Sequence, residues 1–254
     1  MTHEILSFQS LASTNDYLKG RYDELLDGSV CLALYQTKGK GRLGRAWDGD
    51  EGSLLFSILL KDEKYQGFAS VFPIMTGAAL LKTLDSYGVH PLIKWPNDIY
   101  LNDKKVAGIL VEGVYQDTQK AIVIGIGINL NQEAMPLDLP NASSLKTETK
   151  KTFDKDVFLT RFLRNFDFYL NRLALKESRF MKYVQNNDYL KGKDVCFDYY
   201  GENLEGKALG IKEDGSIAIE KKDGTIISIT SGEATLKKRT SCDKSKRKRS
   251  LMQL

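Results

Sequence analysis

Histidine is almost missing from this chain. Only His3 and His90 occur, and neither lies near the polar motifs discussed below. That argues against a Ser-His-Asp hydrolase and against a histidine-ligated metal enzyme. Cysteine is scarce and odd in number, at Cys31, Cys196 and Cys242. The three are far apart, which argues against a disulfide framework and offers no zinc-binding spacing. No apolar run is long enough to cross a bilayer, so no membrane association is expected. The N-terminus, MTHEILSFQS, has neither a basic start nor an apolar signal core, and a cytoplasmic protein is expected.

The charge is unevenly placed. The net is +4, but residues 237–254 hold eight of the 37 Lys+Arg and one of the 33 Asp+Glu. The remainder is slightly acidic, with a net of −3, and does not support a general nucleic-acid surface. The basic end, KKRTSCDKSKRKRS, is nearly devoid of hydrophobes and is expected to be disordered, with a solubilising role placed first. A nucleic-acid-binding module acting through this tail is kept as a separate alternative.

Hydrophobic residues make up 42% and charged residues 28%, ordinary values for a globular chain. Apolar spacing predicts strands at 5–8, 30–35, 53–60, 92–95, 99–101, 105–114 and 121–130. It predicts helices from the 13–15 cap through DYLKGRYDELL, and at 68–87, 153–173 and 176–189. Asn102-Asp103 is a tight-turn signal. Residues 132–151 are polar, with Pro136 and Pro140, and read as a mobile loop. After residue 193 four short alternating runs, punctuated by Gly-Glu and Asp-Gly pairs, suggest a small β-barrel. The expected organisation is a catalytic domain at 1–190, a barrel at 191–237 and a tail at 238–254. The fold class is α+β.

Three stretches concentrate the chemistry. QTKGKGRLGRAW, at 36–47, sets Gly39, Gly41 and Gly44 among Lys38, Lys40, Arg42 and Arg45. Glycine lets backbone N–H groups approach a ligand, and the cations supply charge where an anion would sit. A solvated basic turn would read the same way. The stretch lacks the Lys-Ser/Thr pair of a P-loop. KWPND, at 94–98, forces Trp95 to be extended before Pro96 and brings Asn97 and Asp98 out at a strand end. A structural turn around a core tryptophan is the alternative. If the hairpin pairs as expected, Lys105 projects to the same corner. IGIGIN, at 124–129, does not have the spacing of a dinucleotide fingerprint. Glycines in an apolar strand mark a place where something approaches the backbone closely. Asn129 at the strand end suits either a base-edge contact or a turn. With little histidine, the fitting chemistry needs charge and positioning rather than proton shuttling. Acyl adenylation, in which a carboxylate attacks the α-phosphate of ATP, is such a reaction.

GKGRLGRAW, KWPND, KKVAGILVE and IGIGINLN, with the early STN and the late SGEATLK in the same order, resemble the biotin protein ligase family. The resemblance covers nearly the whole chain before the tail. It implies a mixed β-sheet packed with helices, of the class II aminoacyl-tRNA-synthetase-like type, plus a C-terminal SH3-like barrel. It implies ATP and biotin as substrates, with Mg²⁺, and a biotin carboxyl carrier domain of acetyl-CoA or pyruvate carboxylase as partner. Because the chain begins close to STN, it resembles the monofunctional form, with no specific DNA binding expected. Homodimerisation is left open.

By the same resemblance, Ser13, Thr14, Asn15 and Gln36 match positions that hold the biotin ring system. Lys40, Gly41 and Arg42 match the loop closing over biotin and the adenylate phosphate. Lys105 matches the lysine at the biotin carboxylate and α-phosphate. Trp47, Asn97, Asn129 and Arg45 fall on the nucleotide side. Arg42, Lys105 and Asp98 are the expected catalytic set, and no protein-held metal is expected. One departure is Lys40, where the usual loop carries arginine. It keeps the charge and loses the planar fork. A lipoate or octanoate ligase or transferase of related fold is the enzymatic alternative.

Overall fold

The structure is a computed structural model that describes residues 1–236 apart from 48, 66, 117, 178, 200 and 201. The basic tail expected to be disordered, and Cys242 within it, lie outside the described residues. A seven-stranded sheet forms the body. In chain order its strands are β1 (Ile5–Leu11), β2 (Val30–Gln36), β3 (Ser53–Leu60), β4 (Leu92–Lys94), β5 (Asp98–Leu101), β6 (Lys104–Gln116) and β7 (Thr118–Asn129). They lie in the order β1-β2-β3-β7-β6-β5-β4. Only β1 and β2 pair in parallel, so the sheet is mixed, as expected.

Period-two alternation assigns the two faces. In β7 the isoleucines 122, 124, 126 and 128 point into the main core. Ala121 and Val123 point the other way, into a small cluster with Leu18, Cys31 and Leu59. Because a strand places residues two apart on one face, Gly125, Gly127 and Asn129 share that second face. The main-core face is covered by α2 (Phe72–Asp85) and α4 (Lys155–Ala174). In α4, Phe158, Phe162, Phe166 and Leu170 recur every four residues and are buried. Each such side chain contributes about 1.5–3 kcal/mol. On the second face α1 (Thr14–Gly20) covers one end only, and the uncovered end becomes the cavity floor.

Several boundaries depart from expectation. The first helix stops at Gly20 rather than running to residue 26, and residues 21–25 turn away. The expected helix at 68–87 begins at Phe72, with Pro73 in its first turn, where a missing N–H costs nothing. The stretch at 132–151, expected to be a mobile loop, contains α3 (Leu145–Thr149), capped by Ser144. Ser144 and Leu145 are fully buried, and that anchoring is invisible in a polar composition. The Asn102-Asp103 turn is present, with both residues at positive φ as a two-residue hairpin requires.

After α5 (Arg179–Asn186) a five-stranded antiparallel sheet follows. It is built of β8 (Asp194–Tyr199), β9 (Glu202–Ile211), β10 (Ile217–Glu220), β11 (Ile226–Ile229) and β12 (Glu233–Leu236), in the order β11-β10-β9-β8-β12. Four strands were expected. The fifth, EATL, is too short to signal itself and forms by pairing with β8. The two sheets meet at Trp95. Its indole lies 5.9 Å from the Phe197 ring and donates to the Gly215 carbonyl at 2.9 Å. Trp95 is therefore a core residue, and it ties the KWPND corner to the C-terminal sheet.

Candidate active site

One cavity of about 320 Å³ lies over the uncovered face of the large sheet. Ser13, Thr14, Asn15, Gln36, Lys40, Gly41, Arg42, Arg45, Trp47, Asn97, Asp98, Lys105 and Asn129 all line it. The residues expected to bind biotin, to face the nucleotide and to act in catalysis therefore meet in one place, although they span more than a hundred residues of chain, while Lys38, Gly39 and Gly44 of the glycine–cation stretch do not line it.

The floor is set by the missing side chains. A Cβ on Gly125 would lie 2.3 Å from Asn15 Oδ1, and one on Gly127 would lie 2.4 Å from Trp47 Cε2. A Cβ on Gly108, paired opposite Gly127, would lie 2.7 Å from Trp47 Cζ3. The close approach read from IGIGIN is thus made by two of the chain's own side chains, Asn15 and Trp47.

Buried hydrogen bonds lock this end. Ser13 caps α1 through Asp16 N–H, and the Gln36 Oε1 accepts from Thr14 N–H at 2.7 Å and Thr14 Oγ1 at 3.1 Å. Ser57 Oγ lies 2.6 Å from both Thr14 Oγ1 and Asn15 Oδ1. Asn15 Nδ2 donates to Glu112 Oε2 at 2.6 Å, and Lys19 Nζ donates to Glu112 Oε1 at 2.7 Å. Burial disfavours the Lys19 charge, but Glu112 and Asp16 outweigh it and raise the Lys19 pKa. Ser57, Glu112, Lys19 and Asp16 were not singled out from the sequence. Period-two alternation could have put Glu112 on the cavity face, two residues from Leu110 and four from Gly108.

The opposite end gathers the charge. A register shift between Ile99 and Tyr100 places Lys105 opposite Tyr100 and Asp98 opposite Gly108. The Lys105 ammonium leans over Gly108 to reach Asp98 Oδ1 at 2.7 Å, an ion pair whose angles fall outside those of a hydrogen bond. It also lies 5.2 Å over the Trp47 ring. Lys105 thus projects to the KWPND corner as the hairpin implied. Asn97 and Asp98 are half-buried, not thrust into solvent. Asn97 Nδ2 donates to the Ile109 carbonyl, and Arg42 Nη1 donates to Asn97 Oδ1 at 3.3 Å. Burial lowers the Arg42 pKa, and the neighbouring Asp98 and Glu233 oppose that shift. Asn129 is buried, and its Nδ2 donates to the Ser143 carbonyl at 3.1 Å. One N–H of that amide is therefore engaged within the protein, and Asn129 still lines the cavity.

The glycine-rich stretch is a small hairpin flap. Gly41 N–H donates to the Arg45 carbonyl and Trp47 N–H to the Gly39 carbonyl, with a 3-10 turn at Arg42–Gly44 as its tip. Leu43 adopts φ 57°, strained for leucine, and Gly44 adopts φ 74°. Two cations of the flap are held away from the cavity centre. Lys40 Nζ pairs with Asp16 Oδ2 at 2.6 Å, and Arg45 grips Glu233 of β12 through both guanidinium nitrogens. Arg42 is the flap cation directed at the Asp98–Lys105 end. Among the described residues no group of three His, Cys, Asp or Glu could hold a metal, and no helix is long and apolar enough to cross a membrane. Cys31 is buried in the small cluster, and burial pushes its thiol up to about 12, which disfavours the thiolate.

Comparison with known proteins meets this geometry. The profile of the Biotin/lipoate A/B protein ligase family matches residues 7–129, which carry most of the cavity lining. The bifunctional ligase/repressor BirA of Salmonella typhimurium is 31% identical over 235 residues, covering 89% of this chain and 72% of that protein. The biotin–[acetyl-CoA-carboxylase] ligase of Mycobacterium tuberculosis is 33% identical over 154 residues, covering 56% of this chain and 54% of that one. The Aquifex aeolicus biotin protein ligase, solved in complex with biotin and ATP, superposes with a TM-score of 0.82 at 30% identity. It covers 92% of this chain and 98% of its own. Likeness of this extent runs through both sheets as well as the flap, and the chain belongs to the biotin/lipoate A/B protein ligase family.

Proposed function

We propose that this protein is a biotin–protein ligase. It joins biotin to ATP as biotinyl-5′-AMP and then transfers the biotinyl group to a lysine of a biotin carboxyl carrier domain. One observation carries the reading. Arg42 and Lys105, from the exposed flap and a sheet strand, converge at one end of a cavity whose other end is a buried hydrogen-bonding network of Thr14, Asn15 and Ser57. A bicyclic ureido head needs the second end, and a carboxylate reacting with a phosphate needs the first.

In step one a biotin carboxylate oxygen attacks the α-phosphorus. The bond to the β,γ-diphosphate breaks and pyrophosphate leaves. Lys105 and Arg42 face the charge that gathers on the α-phosphoryl oxygens. Asp98 holds the Lys105 ammonium in place before ligand arrives. Trp47 and Arg45, with Asn97 and Asn129, form the nucleotide side. Mg²⁺ enters with ATP as part of that substrate, and the chain's own contribution is positioning and charge. In step two the carrier lysine amine attacks the acyl carbon. The acyl C–O bond breaks, AMP departs with the electron pair, and the proton shed by the attacking nitrogen passes to solvent. Asp98, which lines the cavity, is the carboxylate that orients the incoming amine. The flap keeps the mixed anhydride from water between the two steps. A cytoplasmic setting, where ATP and carboxylases meet, is part of this reading.

The test is ATP-dependent transfer to an isolated carrier domain, read by mass spectrometry. A gain of one biotinyl group on one lysine is expected, with biotin outcompeting lipoate and octanoate. Transfer of lipoate or octanoate in preference would overturn the biotin assignment.

A further inference from the structure

We infer that Glu112 is a positioning residue for biotin recognition. It acts through Asn15 by fixing which end of that side-chain amide is the donor. This inference rests on the biotin-ligase reading and deepens it.

The argument starts from the chemistry of the partners. An Asn amide has a donor end and an acceptor end of nearly equal shape, and rotation by half a turn exchanges them. Ser57 Oγ touches one end of Asn15 at 2.6 Å, but a hydroxyl donates or accepts equally well. It also has Thr14 Oγ1 as an equivalent partner at 2.6 Å. Ser57 therefore does not choose between the two orientations. Glu112 does. An ionised carboxylate only accepts, so the end of Asn15 that lies 2.6 Å from Oε2 must be the NH₂. The reversed amide would set a carbonyl oxygen against a carboxylate in a site where Asn15 is 4% exposed, and burial strengthens that repulsion.

Glu112 itself is held. Its second oxygen takes Lys19 Nζ at 2.7 Å, and Lys19 also pairs with Asp16 at 3.1 Å. The backbone is fixed as well, since Glu112 pairs with Val123 in the centre of the sheet. Gly125 completes the device, because any side chain there would collide with the Asn15 amide. A ureido ring carries N–H donors and a C=O acceptor at fixed places. A wall meant to recognise it needs a fixed donor–acceptor order, and Glu112 supplies that order without touching the cavity centre.

The experiment measures biotin and ATP binding by calorimetry on the full chain, its Glu112→Gln and Glu112→Ala variants, and follows the Asn15 side-chain amide by NMR. Glu112→Ala is expected to weaken biotin binding about 10-fold or more, the scale of one lost charge-assisted hydrogen bond, and to leave ATP affinity within about twofold. Glu112→Gln keeps the shape but offers either a donor or an acceptor. It should weaken biotin binding by about threefold and broaden or shift the Asn15 amide signals. Unchanged biotin affinity in Glu112→Gln, with an unchanged Asn15 signal, overturns the inference. So does a parallel loss of biotin and ATP affinity with a lowered melting temperature, which marks a purely structural role. If Glu112→Ala fails to fold, the Gln variant decides alone. A wild-type chain that does not bind biotin would instead overturn the ligase reading.

Discussion

On the cavity floor Thr14 and Asn15 are 3% and 4% exposed, and each has at least two hydrogen-bond contacts within the protein. In the flap, Leu43 is 76% exposed and the Arg45 side chain 60%. The floor is ordered before any ligand arrives, because leaving those buried polar groups unpaired would cost about 1–3 kcal/mol each. The flap is fastened by a long Arg42–Asn97 hydrogen bond and by two exposed ion pairs, Lys40–Asp16 and Arg45–Glu233, of a kind typically worth about 0–1 kcal/mol. On the proposed ligase reading the difference divides the work. A recognition surface gains from rigidity, since it spends no ordering entropy on binding. A lid must open to admit two substrates and release a product, so weak fastenings suit it.

The largest expected effect lies on the rigid side. Lys105→Ala should slow formation of biotinyl-adenylate in a single turnover by about 10²–10³-fold, the usual loss on removing one donor to a developing anion. A wild-type rate in that variant would remove Lys105 from step one. Next comes the floor itself. Gly125→Val would drive a side chain into the Asn15 amide, and biotin affinity should fall about 10- to 100-fold with a stability loss of about 1–3 kcal/mol. Equal biotin binding would mean that the floor is not pre-formed, and the contrast with the flap would collapse.

The flap predictions are smaller. Arg42→Gly should release the adenylate about tenfold faster, as judged by capture of free biotinyl-adenylate with hydroxylamine before any carrier is added. Normal retention would sink the lid role. The smallest effect belongs to Asp16→Asn, which frees Lys40. Burial works against the Asp16 charge, but Lys40 and then Lys19 outweigh it and hold its carboxyl below the ordinary 3.8. A depressed folded pKa adds stability above the unfolded value, and that stability is lost as pH falls through the folded one. The melting-temperature gap between wild type and Asp16→Asn should therefore be present at neutral pH and shrink below pH 3.8. A gap that persists in acid would show that the ion pair is not what fastens the flap.

Much of this was legible in the chain. The Asn102-Asp103 turn, the alternation in 121–129 and the four-residue apolar spacing of α4 are local codes, and each appeared where it was read. The glycine–cation and Trp-Pro-Asn-Asp stretches stood out because such patterns are short, whereas Ser13, Thr14, Asn15, Gln36 and the role of Lys105 entered through the family resemblance. What escaped was non-local. Ser57 and Glu112 are unremarkable letters in apolar strands, and only strand pairing sets them against Asn15. The strand at Glu233–Leu236 needs β8 beside it to exist. Buried Ser144 and Leu145 turned a polar stretch into an anchored helix.

The amino-acid sequence alone determined the periodicities, the turns, the glycine positions and the scarcity of histidine. Those set the fold class and the kind of chemistry, because each depends on neighbours within a few residues. The tertiary structure decided which charges face the cavity and which are tied back. Arg42 and Lys105 point inward, while Lys40 and Arg45 are claimed by Asp16 and Glu233. A cation's partner is chosen by distance in space, and pairs such as Arg45 and Glu233, 188 residues apart, meet only when the two sheets pack together.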